Sequence, residues 1–353
     1  MEVWYQPIFD NRSRQTVGLE ALARLRDEGG SLLYPGKFLP QLNIDDVTDL
    51  SRMVLTQALV DLARLDALGW HLWVSFNVDP ESLCEHCVPC LQGVIEPSGI
   101  DPSRITLEIL EGSDFLERNN ALPVLQNVKE LGIRLALDDV GSAYSSLLRL
   151  KSLPLDEIKL DQGFVRTLGE RPEDLHFIEA IQDLAVNLGL DLVVEGVENN
   201  DILDAMIVMK VGLLQGYAIA KPMPFEHLQA FLSRPPTKPG QHPTGLLGLY
   251  AEHLASHFVL QKAVRQNPHL VDYMTLVNTD LCPGTSYLRR LGYREGSHLD
   301  VLHQEYHRVL AVVDATLLDA SEKNIWKEVE CASKNLLSAI MTEYRQQAPF
   351  QSV

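Results

Sequence analysis

The sequence predicts an α/β protein in two parts, a TIM-type (β/α)8-like barrel followed by an all-α helical bundle. From Trp4 to about Leu232, short β-rich runs alternate with longer segments of helical period, which is typical of βα units that close a parallel sheet or barrel. Residues 233–245, rich in proline and glycine, interrupt this pattern, and the chain beyond them shows helical periodicity. We therefore expect a barrel over residues 1–232, a linker over residues 233–245 and a bundle over residues 246–353.

Eight β-rich segments predict the barrel strands, and eight strands at this spacing fit a TIM-type barrel. The predicted strands are Trp4–Phe9, Val17–Ala23, His71–Asn77, Ile105–Leu110, Arg134–Val140, Glu157–Asp161, Asp191–Val197 and Leu213–Ala218. Segments with apolar residues at three- and four-residue spacing predict the helices between them. These helices are Leu50–Leu68, Asn120–Leu131, Pro172–Leu188 and Asn200–Met209.

The same helical spacing continues after the linker and predicts a four-helix appendage. Its predicted helices are Leu246–Arg265, Asn267–Asn278, His298–Leu318 and Glu322–Tyr344. Seven of the eleven histidines of the chain fall in this last third.

Composition restricts the classes of function. The chain has 353 residues, 46% of them apolar, enough for a large core. With 48 acidic and 30 basic side chains the net charge is −18, which argues against binding of DNA, RNA or an anionic membrane through a basic surface. Without a long apolar run, a basic signal-peptide start or an even set of cysteines, the sequence predicts a cytoplasmic protein.

Acidic residues cluster at the carboxyl ends of the predicted strands, where a TIM barrel builds its active site. The residues at these positions are Glu20, Asn77, Glu108, Asp138, Asp139, Asp161, Glu195 and Glu198, with Lys159 two residues before Asp161. So many carboxylates at one rim repel each other unless cations bind them, and oxygen ligands suit Mg²⁺ or Mn²⁺. One or two such cations would support phosphodiester hydrolysis. The alternative is that each acid only caps the following helix.

Eight motifs follow one another along this part of the chain. They are Tyr5-Gln6-Pro7-Ile8, Glu20-Ala21-Leu22-Ala23-Arg24, Asn77, Leu107-Glu108-Ile109-Leu110-Glu111, Asp138-Asp139-Val140-Gly141, Ile158-Lys159-Leu160-Asp161, Glu195-Gly196-Val197-Glu198 and Gln215-Gly216-Tyr217. In order and spacing these motifs resemble those of the EAL family of cyclic-di-GMP phosphodiesterases. The resemblance covers about residues 3–232 and implies a metal-dependent hydrolase that converts cyclic-di-GMP to linear pGpG.

The resemblance also implies roles for individual residues. The catalytic residues would be Lys159, Glu20 and Glu195, and the metal ligands Glu20, Asn77, Glu108, Asp138, Asp139 and Asp161. Lys159 would position or deprotonate the attacking water. Gln6, Arg24 and Gln215 would contact the dinucleotide, and Glu111 and Glu198 would hold the loop after the fifth strand.

That loop departs from the family's usual Asp-Asp-Phe-Gly-Thr-Gly-Tyr, because residues 138–144 read Asp-Asp-Val-Gly-Ser-Ala-Tyr. Since the positions of the metal ligands and the lysine are intact, we favour an active enzyme. A catalytically silent cyclic-di-GMP receptor that signals to a partner is the alternative that the altered loop favours.

Two cysteine-containing patterns remain. Cys84, Cys87 and Cys90 lie three residues apart on a predicted helix, where they drift around the axis, so helix packing is the simpler interpretation. In the bundle, His303 and His307 are one helical turn apart.

Together with His257 and Cys282, this pair supplies three His and one Cys, a ligand set for Zn²⁺, with His253 as a rival first ligand. The order loosely resembles the chemoreceptor zinc-binding family, which implies a sensory domain that dimerises. A plain dimerising bundle and a haem-binding bundle are the alternatives.

Overall fold

The structure is a computed structural model that describes residues 1–83, 87–110, 121–141, 147–234, 243–266, 278–279, 281–316 and 322–347. Contacts divide the chain into two compact units. Unit 1 comprises Met1–Arg166, Ile181–Glu198 and Val211–Pro239, and unit 2 comprises Thr167–Ala180, Asn199–Lys210 and Gly240–Val353. The domain limits inferred from the sequence, with a linker at residues 233–245, stay a prediction, since the two compact units follow different limits.

Unit 1 contains a ten-stranded sheet in the order β10-β1-β9-β8-β7-β6-β5-β4-β2-β3, and the additional pairing of β1 with β2 closes eight of these strands into a barrel. The strands are β1 (Glu2–Asp10), β2 (Gln15–Arg26), β3 (Leu32–Leu33), β4 (Trp73–Asn77), β5 (Ile105–Leu110), β6 (Arg134–Val140), β7 (Glu157–Leu160), β8 (Asp191–Val194), β9 (Leu213–Leu214) and β10 (Met223–Pro224). The predicted barrel is therefore confirmed.

One strand differs from an all-parallel barrel. β1 runs antiparallel to both of its barrel neighbours, β2 and β9. Only four residues separate β1 from β2, too few for the crossover that a parallel pair needs. The carboxylate of Asp10 accepts hydrogen bonds from the backbone N–H groups of Arg12 and Ser13, and Arg14 adopts a φ of 60°. These features build a tight turn, so the first two strands form a hairpin.

Nine helices are described up to residue 234: α1 (Pro35–Phe38), α2 (Ile44–Ala67), α3 (Cys87–Ser98), α4 (Ala121–Glu130), α5 (Leu147–Ser152), α6 (Gln162–Arg166), α7 (Leu175–Leu188), α8 (Asn200–Val208) and α9 (Phe225–Leu232). Helix α2 begins six residues before the predicted start because Asn43 and Asp46 form a capping box. Its buried apolar residues recur at three- and four-residue spacing and join the apolar side chains of β2, β4 and β5 in the core of unit 1.

The C-terminal helices are α10 (Leu246–Gln266), α11 (Pro283–Arg290), α12 (His298–Thr316) and α13 (Glu322–Gln347). Helix α11 was not predicted, although Pro283 at its first position is a helix-start signal. The predicted helix Asn267–Asn278 lies outside the described residues except for Asn278. Across the described part of the chain, no helix combines the length and apolar character needed to cross a membrane.

Within unit 2, α10 packs against α8, α11 and α13, and α12 packs against α11 and α13. The buried Asp204 carboxylate on α8 accepts hydrogen bonds from the N–H groups of Thr244, at 2.8 Å, and Gly245, at 3.1 Å. These groups lie at the start of α10, where a negative charge also interacts favourably with the helix dipole. Asp204 thus joins a helix from the first two thirds of the chain to the C-terminal helices.

Candidate active site

Acidic, amide and lysine side chains converge at one rim of the barrel in unit 1. Their strands run parallel, so the carboxyl ends meet at the same rim. Glu20 lies in β2, Asn77 ends β4, Glu108 lies in β5, Asp138 and Asp139 in β6 and Lys159 in β7, while Asp161, Glu195 and Gln215 directly follow β7, β8 and β9. Glu20 is not a strand end as expected, because β2 continues for six residues beyond it while still paired with β1.

Lys159 occupies the centre of this group and is almost completely buried, with 1% of its surface exposed. Its Nζ lies 2.7 Å from a carboxylate oxygen of Glu195 and 3.0 Å from one of Glu108. Oxygens of Glu20 and Asp138 are both 3.7 Å away. A single ammonium group therefore contacts four carboxylates.

The Glu20 carboxylate is held from two sides. Asn77 donates a hydrogen bond from Nδ2 to Oε1 of Glu20 at 3.0 Å, and Gln215 donates from Nε2 to Oε2 at 2.5 Å. Gln215 is 3% exposed. Gln215, which the sequence predicted to contact a dinucleotide, thus orients Glu20 in this structure. Closure of the barrel brings these two residues together although they are far apart in the chain.

A local irregularity in β6 allows two consecutive aspartates to face the same site. Neighbouring strand residues ordinarily point to opposite faces. The pairing of β6 with β7 shifts register between Leu137 and Val140, and Asp139 adopts a left-handed φ of 57°, which aspartate tolerates better than most residues. One carboxylate oxygen from each of Asp138, Asp139 and Glu195 therefore lies within 4.8 Å of the others.

The charges in this cluster do not balance. Burial raises the pKa of Glu195 to about 7 and that of Asp139 to about 6. Burial also raises the pKa of Glu108 well above its ordinary value, although Lys159 opposes the shift. Burial disfavours the charged form of Lys159, yet the surrounding carboxylates outweigh it and hold the pKa of the lysine well above its usual range. The negative charge at this rim exceeds what one lysine can neutralise.

The residues present fit a divalent cation. The fully buried Glu108 carboxylate has its ion pair with Lys159 at 3.0 Å, and Oε1 of the buried Gln215 has no hydrogen-bond partner among the described residues. Desolvated oxygen atoms without donors are costly unless a cation contacts them. Carboxylate and amide oxygens are the ligands that Mg²⁺ and Mn²⁺ prefer.

A buried arginine, Arg24, lies four residues after Glu20 in β2. The Arg24 guanidinium is 5% exposed and lies over the rings of Tyr34, at 5.0 Å, and Trp4, at 5.9 Å. Burial lowers the pKa of Arg24 below its ordinary value, although Tyr34 and Glu20 oppose the shift. On β1, Gln6 is half-buried and donates to the carbonyl of Ala220 at 3.4 Å.

The aromatic partners of Arg24 were not singled out from the sequence. The alternation of side chains along β1 could have indicated Trp4, because Trp4 shares one face of the strand with the predicted binding residue Gln6.

The remaining predicted residues lie at the margin of the cluster or outside the described residues. Asp161 accepts a hydrogen bond from the N–H of Gly163 at 2.9 Å and faces Asp139. Glu198 is exposed and forms an ion pair with Arg166 on α6. Glu111 and the loop residues 142–146 lie outside the described residues, so the role predicted for Glu111 and Glu198 stays a prediction. Cys84 and the side chain of Cys87 also lie outside them, while Cys90 is exposed and free.

A second cluster of potential ligands lies in unit 2. The structure brings together Cys282, His303 and His307, with one donor atom of each within 4.8 Å of the others. His257, the fourth residue of the predicted zinc set, is not part of this group and forms a hydrogen bond through Nδ1 with the Tyr306 hydroxyl at 3.0 Å.

Comparison with known proteins identifies the first part of the chain. The family profile described as "EAL domain" matches residues 1–222. The cyclic di-GMP phosphodiesterase RocR from Pseudomonas aeruginosa is 32% identical over 234 residues, covering 66% of this chain and 60% of RocR. An uncharacterized protein from Mycobacterium bovis is 33% identical over 240 residues, covering 66% of this chain and 38% of that protein.

Solved structures show the same similarity. The PaMucR phosphodiesterase in complex with c-di-GMP matches with a TM-score of 0.59 and 30% identity, covering 64% of this chain and 93% of that one. The EAL domain of DcpA from Mycobacterium smegmatis matches with a TM-score of 0.56 and 29% identity, covering 66% and 97%. The chain spans less than two thirds of the curated relatives named above. The comparisons do not support the resemblance of the C-terminal helices to the chemoreceptor zinc-binding family.

Proposed function

Because the chain belongs to the EAL domain family, we propose that unit 1 hydrolyses cyclic-di-GMP to linear pGpG in a reaction that requires Mg²⁺ or Mn²⁺. The observation that carries this proposal is the buried cluster in which one ammonium group, that of Lys159, contacts four carboxylates. The substrate class comes from two similar proteins, the cyclic di-GMP phosphodiesterase RocR and the PaMucR phosphodiesterase in its c-di-GMP complex.

Divalent cations at this rim would neutralise the phosphodiester, activate water and stabilise the leaving oxygen. Glu20, Asn77, Glu108, Asp138, Asp139 and Asp161 would hold them, with Glu195 completing the set. The hydrogen bonds from Asn77 and Gln215 keep the Glu20 carboxylate in one orientation. Such outer contacts typically affect metal affinity by about 10–100-fold.

Lys159 would position the attacking water, and its Nζ would accept the proton that the water loses when the amine is neutral. With carboxylates alone around it, the amine stays protonated. Nearby positive charge disfavours the ammonium form, so loading with divalent cations would lower the pKa of Lys159 towards the range of a base.

Arg24 and Gln6 would bind the dinucleotide. A planar guanidinium suits a phosphate or the edge of a guanine, and the rings of Tyr34 and Trp4 fix its plane. Gln6 lies directly opposite Glu20 in the β1–β2 pairing, which places a polar side chain beside the metal-binding rim.

The test is a direct assay of the full chain with cyclic-di-GMP and Mg²⁺ or Mn²⁺, in which pGpG is separated by anion-exchange chromatography. Glu20→Gln should lower kcat/KM by at least about 100-fold, since it removes a charged ligand of nearly the same shape. Glu28→Gln, an exposed substitution that follows the same strand, is the matched control and should leave the rate unchanged. Equal rates in the two variants would contradict the metal assignment.

Retained cyclic-di-GMP binding without any pGpG would instead indicate the silent receptor. The altered loop favours this alternative, and its residues Ser142–Tyr144 lie outside the described residues.

We further infer that the chain forms a homodimer in the cytoplasm and that its C-terminal helices regulate the barrel. The support for a regulatory role is that helices α10 to α13 follow the region that matches the family. Sedimentation of the full chain with and without cyclic-di-GMP tests the oligomeric state.

A further inference from the structure

Three side chains in unit 2 that the proposed function does not use surround one point. Cys282 immediately precedes α11, and His303 and His307 lie one turn apart on α12. His303 Nε2 lies 3.5 Å from Cys282 Sγ and 3.2 Å from His307 Nε2. The two imidazoles are 5% and 6% exposed. Three soft or borderline donors thus converge from two elements in a largely buried place.

These separations are those expected around a tetrahedral zinc ion. Bond lengths of about 2.0–2.1 Å for Zn–N and about 2.3 Å for Zn–S place two nitrogens about 3.3 Å apart, and a nitrogen and a sulfur about 3.6 Å apart. The observed separations of 3.2 Å and 3.5 Å agree with both values.

The backbone at the start of α11 also lies close to the converging donor atoms. A Cβ atom at Gly284 would lie 2.7 Å from Nε2 of His303 and 3.4 Å from Sγ of Cys282. Only glycine lets the backbone approach the two donor atoms so closely. The three donors lie in the wall of a cavity of about 170 Å³ that Glu252 and Tyr306 also line.

The histidines of α10 have other partners. His257 Nδ1 hydrogen-bonds the hydroxyl of Tyr306 at 3.0 Å, and His253 Nε2 hydrogen-bonds the hydroxyl of Ser333 at 3.0 Å. The structure therefore departs from the four-residue set that the sequence predicted, and it retains three of those four residues as the converging group.

We propose that Cys282, His303 and His307 bind one Zn²⁺ in unit 2, with the fourth coordination position open to water or to a small ligand in the cavity. On binding, the Cys282 thiol releases its proton to solvent and the thiolate bonds the metal. A thiolate with two imidazoles favours zinc over magnesium, so this site is chemically distinct from the oxygen-lined rim of the barrel. The proposal does not depend on the activity of unit 1.

The test uses Co²⁺ as a spectroscopic substitute for Zn²⁺ on the full chain, after chelation and with excess Mg²⁺ present to fill oxygen-lined sites. The wild type should bind about one equivalent of Co²⁺ with a near-ultraviolet sulfur-to-cobalt charge-transfer band, and Zn²⁺ should displace it. Cys282→Ser should lose the band. His303→Gln and His307→Gln should each weaken binding by at least about 100-fold, more than loss of an outer contact does.

Two further variants keep the outcome decisive. His298→Gln changes an exposed histidine on the same helix and should leave the band and the affinity unchanged. His257→Gln should likewise retain the metal, because His257 is not part of the group whose donor atoms converge. Absence of the band in the wild type, or its persistence in a folded Cys282→Ser protein, would overturn the proposal. Loss of the metal in His257→Gln would also overturn it, in favour of the four-residue set.

Discussion

Replacement of Lys159 by methionine should make the stability of unit 1 depend on divalent cations. Methionine keeps the unbranched shape and most of the length of the side chain but removes the ammonium group that contacts Glu195, Glu108, Glu20 and Asp138. At an effective dielectric constant of about 20, each pair at 2.7–3.7 Å carries about 4–6 kcal/mol of Coulomb attraction before the cost of desolvation is subtracted. Breaking a buried ion pair on one side typically costs about 3–5 kcal/mol net.

We therefore expect the free energy of unfolding in chelator to fall by about 3–5 kcal/mol in Lys159→Met. Mg²⁺ should recover most of this loss, because the cation supplies the charge that the carboxylates lack. Urea unfolding followed by tryptophan fluorescence is a suitable assay, since Trp4, Trp70 and Trp73 all lie in unit 1 and Trp326 lies in unit 2. Hydrolysis should stay low even in saturating Mg²⁺.

Lys129→Met is the matched control. Its Nζ contacts Asp156 at 2.6 Å, but both side chains are about 30% exposed, so its loss should cost about 1 kcal/mol or less and show no response to Mg²⁺. An equal loss of stability in Lys159→Met with and without Mg²⁺ would refute the view that the lysine and the cations neutralise the same carboxylates.

Three other predictions address separate contacts. Gln215→Leu should lower the affinity for Mg²⁺ by about 10–100-fold, because it removes the hydrogen bond that orients the Glu20 carboxylate. Gln6→Leu should instead raise KM and leave the Mg²⁺ affinity unchanged. Calorimetric titration with Mg²⁺ distinguishes the two variants, and equal affinities would contradict the view that Gln215 orients Glu20. Burial raises the pKa of Glu157 from 4.5 to about 7, so the stability present while this carboxyl is protonated is lost as the pH rises through about 7. Glu157→Gln should therefore gain about 2 kcal/mol over the wild type between about pH 5.5 and about pH 8 in urea unfolding, and a gain that does not vary with pH would exclude this carboxyl as the source. Asp204→Asn should destabilise the first turn of α10 by about 1–2 kcal/mol, which hydrogen exchange at that turn would measure. The exposed Asp45→Asn, in the first turn of α2 in unit 1, should have little effect there.

Much of the barrel could be predicted because its strands carry a local signal. The segments at Ile105–Leu110 and Arg134–Val140 have the bounds in the structure that their composition predicted. Local composition does not contain strand direction, so the antiparallel β1 was not foreseen from its own residues.

The candidate site shows the same limit. That acidic residues gather at one rim follows from the position of each beside a strand end. Asp138 and Asp139 face the same site only because the pairing of β6 with β7 shifts register. Gln215 binds Glu20 only because barrel closure brings together residues that are 195 positions apart. In unit 2, spacing indicated the pair on α12 but could not show that His257 would hydrogen-bond Tyr306.

The order of synthesis gives the composition of unit 2 a further consequence. Helix α8 leaves the ribosome well before residues 240–353, yet all of them belong to the same compact unit. At about 5–20 residues per second, about 2–8 seconds pass between the synthesis of Asp204 and that of its backbone donors at Thr244 and Gly245, and completing residues 240–353 takes on the order of ten seconds. A gene that ended at the linker would encode a protein in which Asp204 permanently lacks these donors. Exchange of the C-terminal helices between genes therefore requires matched changes on α8, so the two parts of the chain are expected to evolve together.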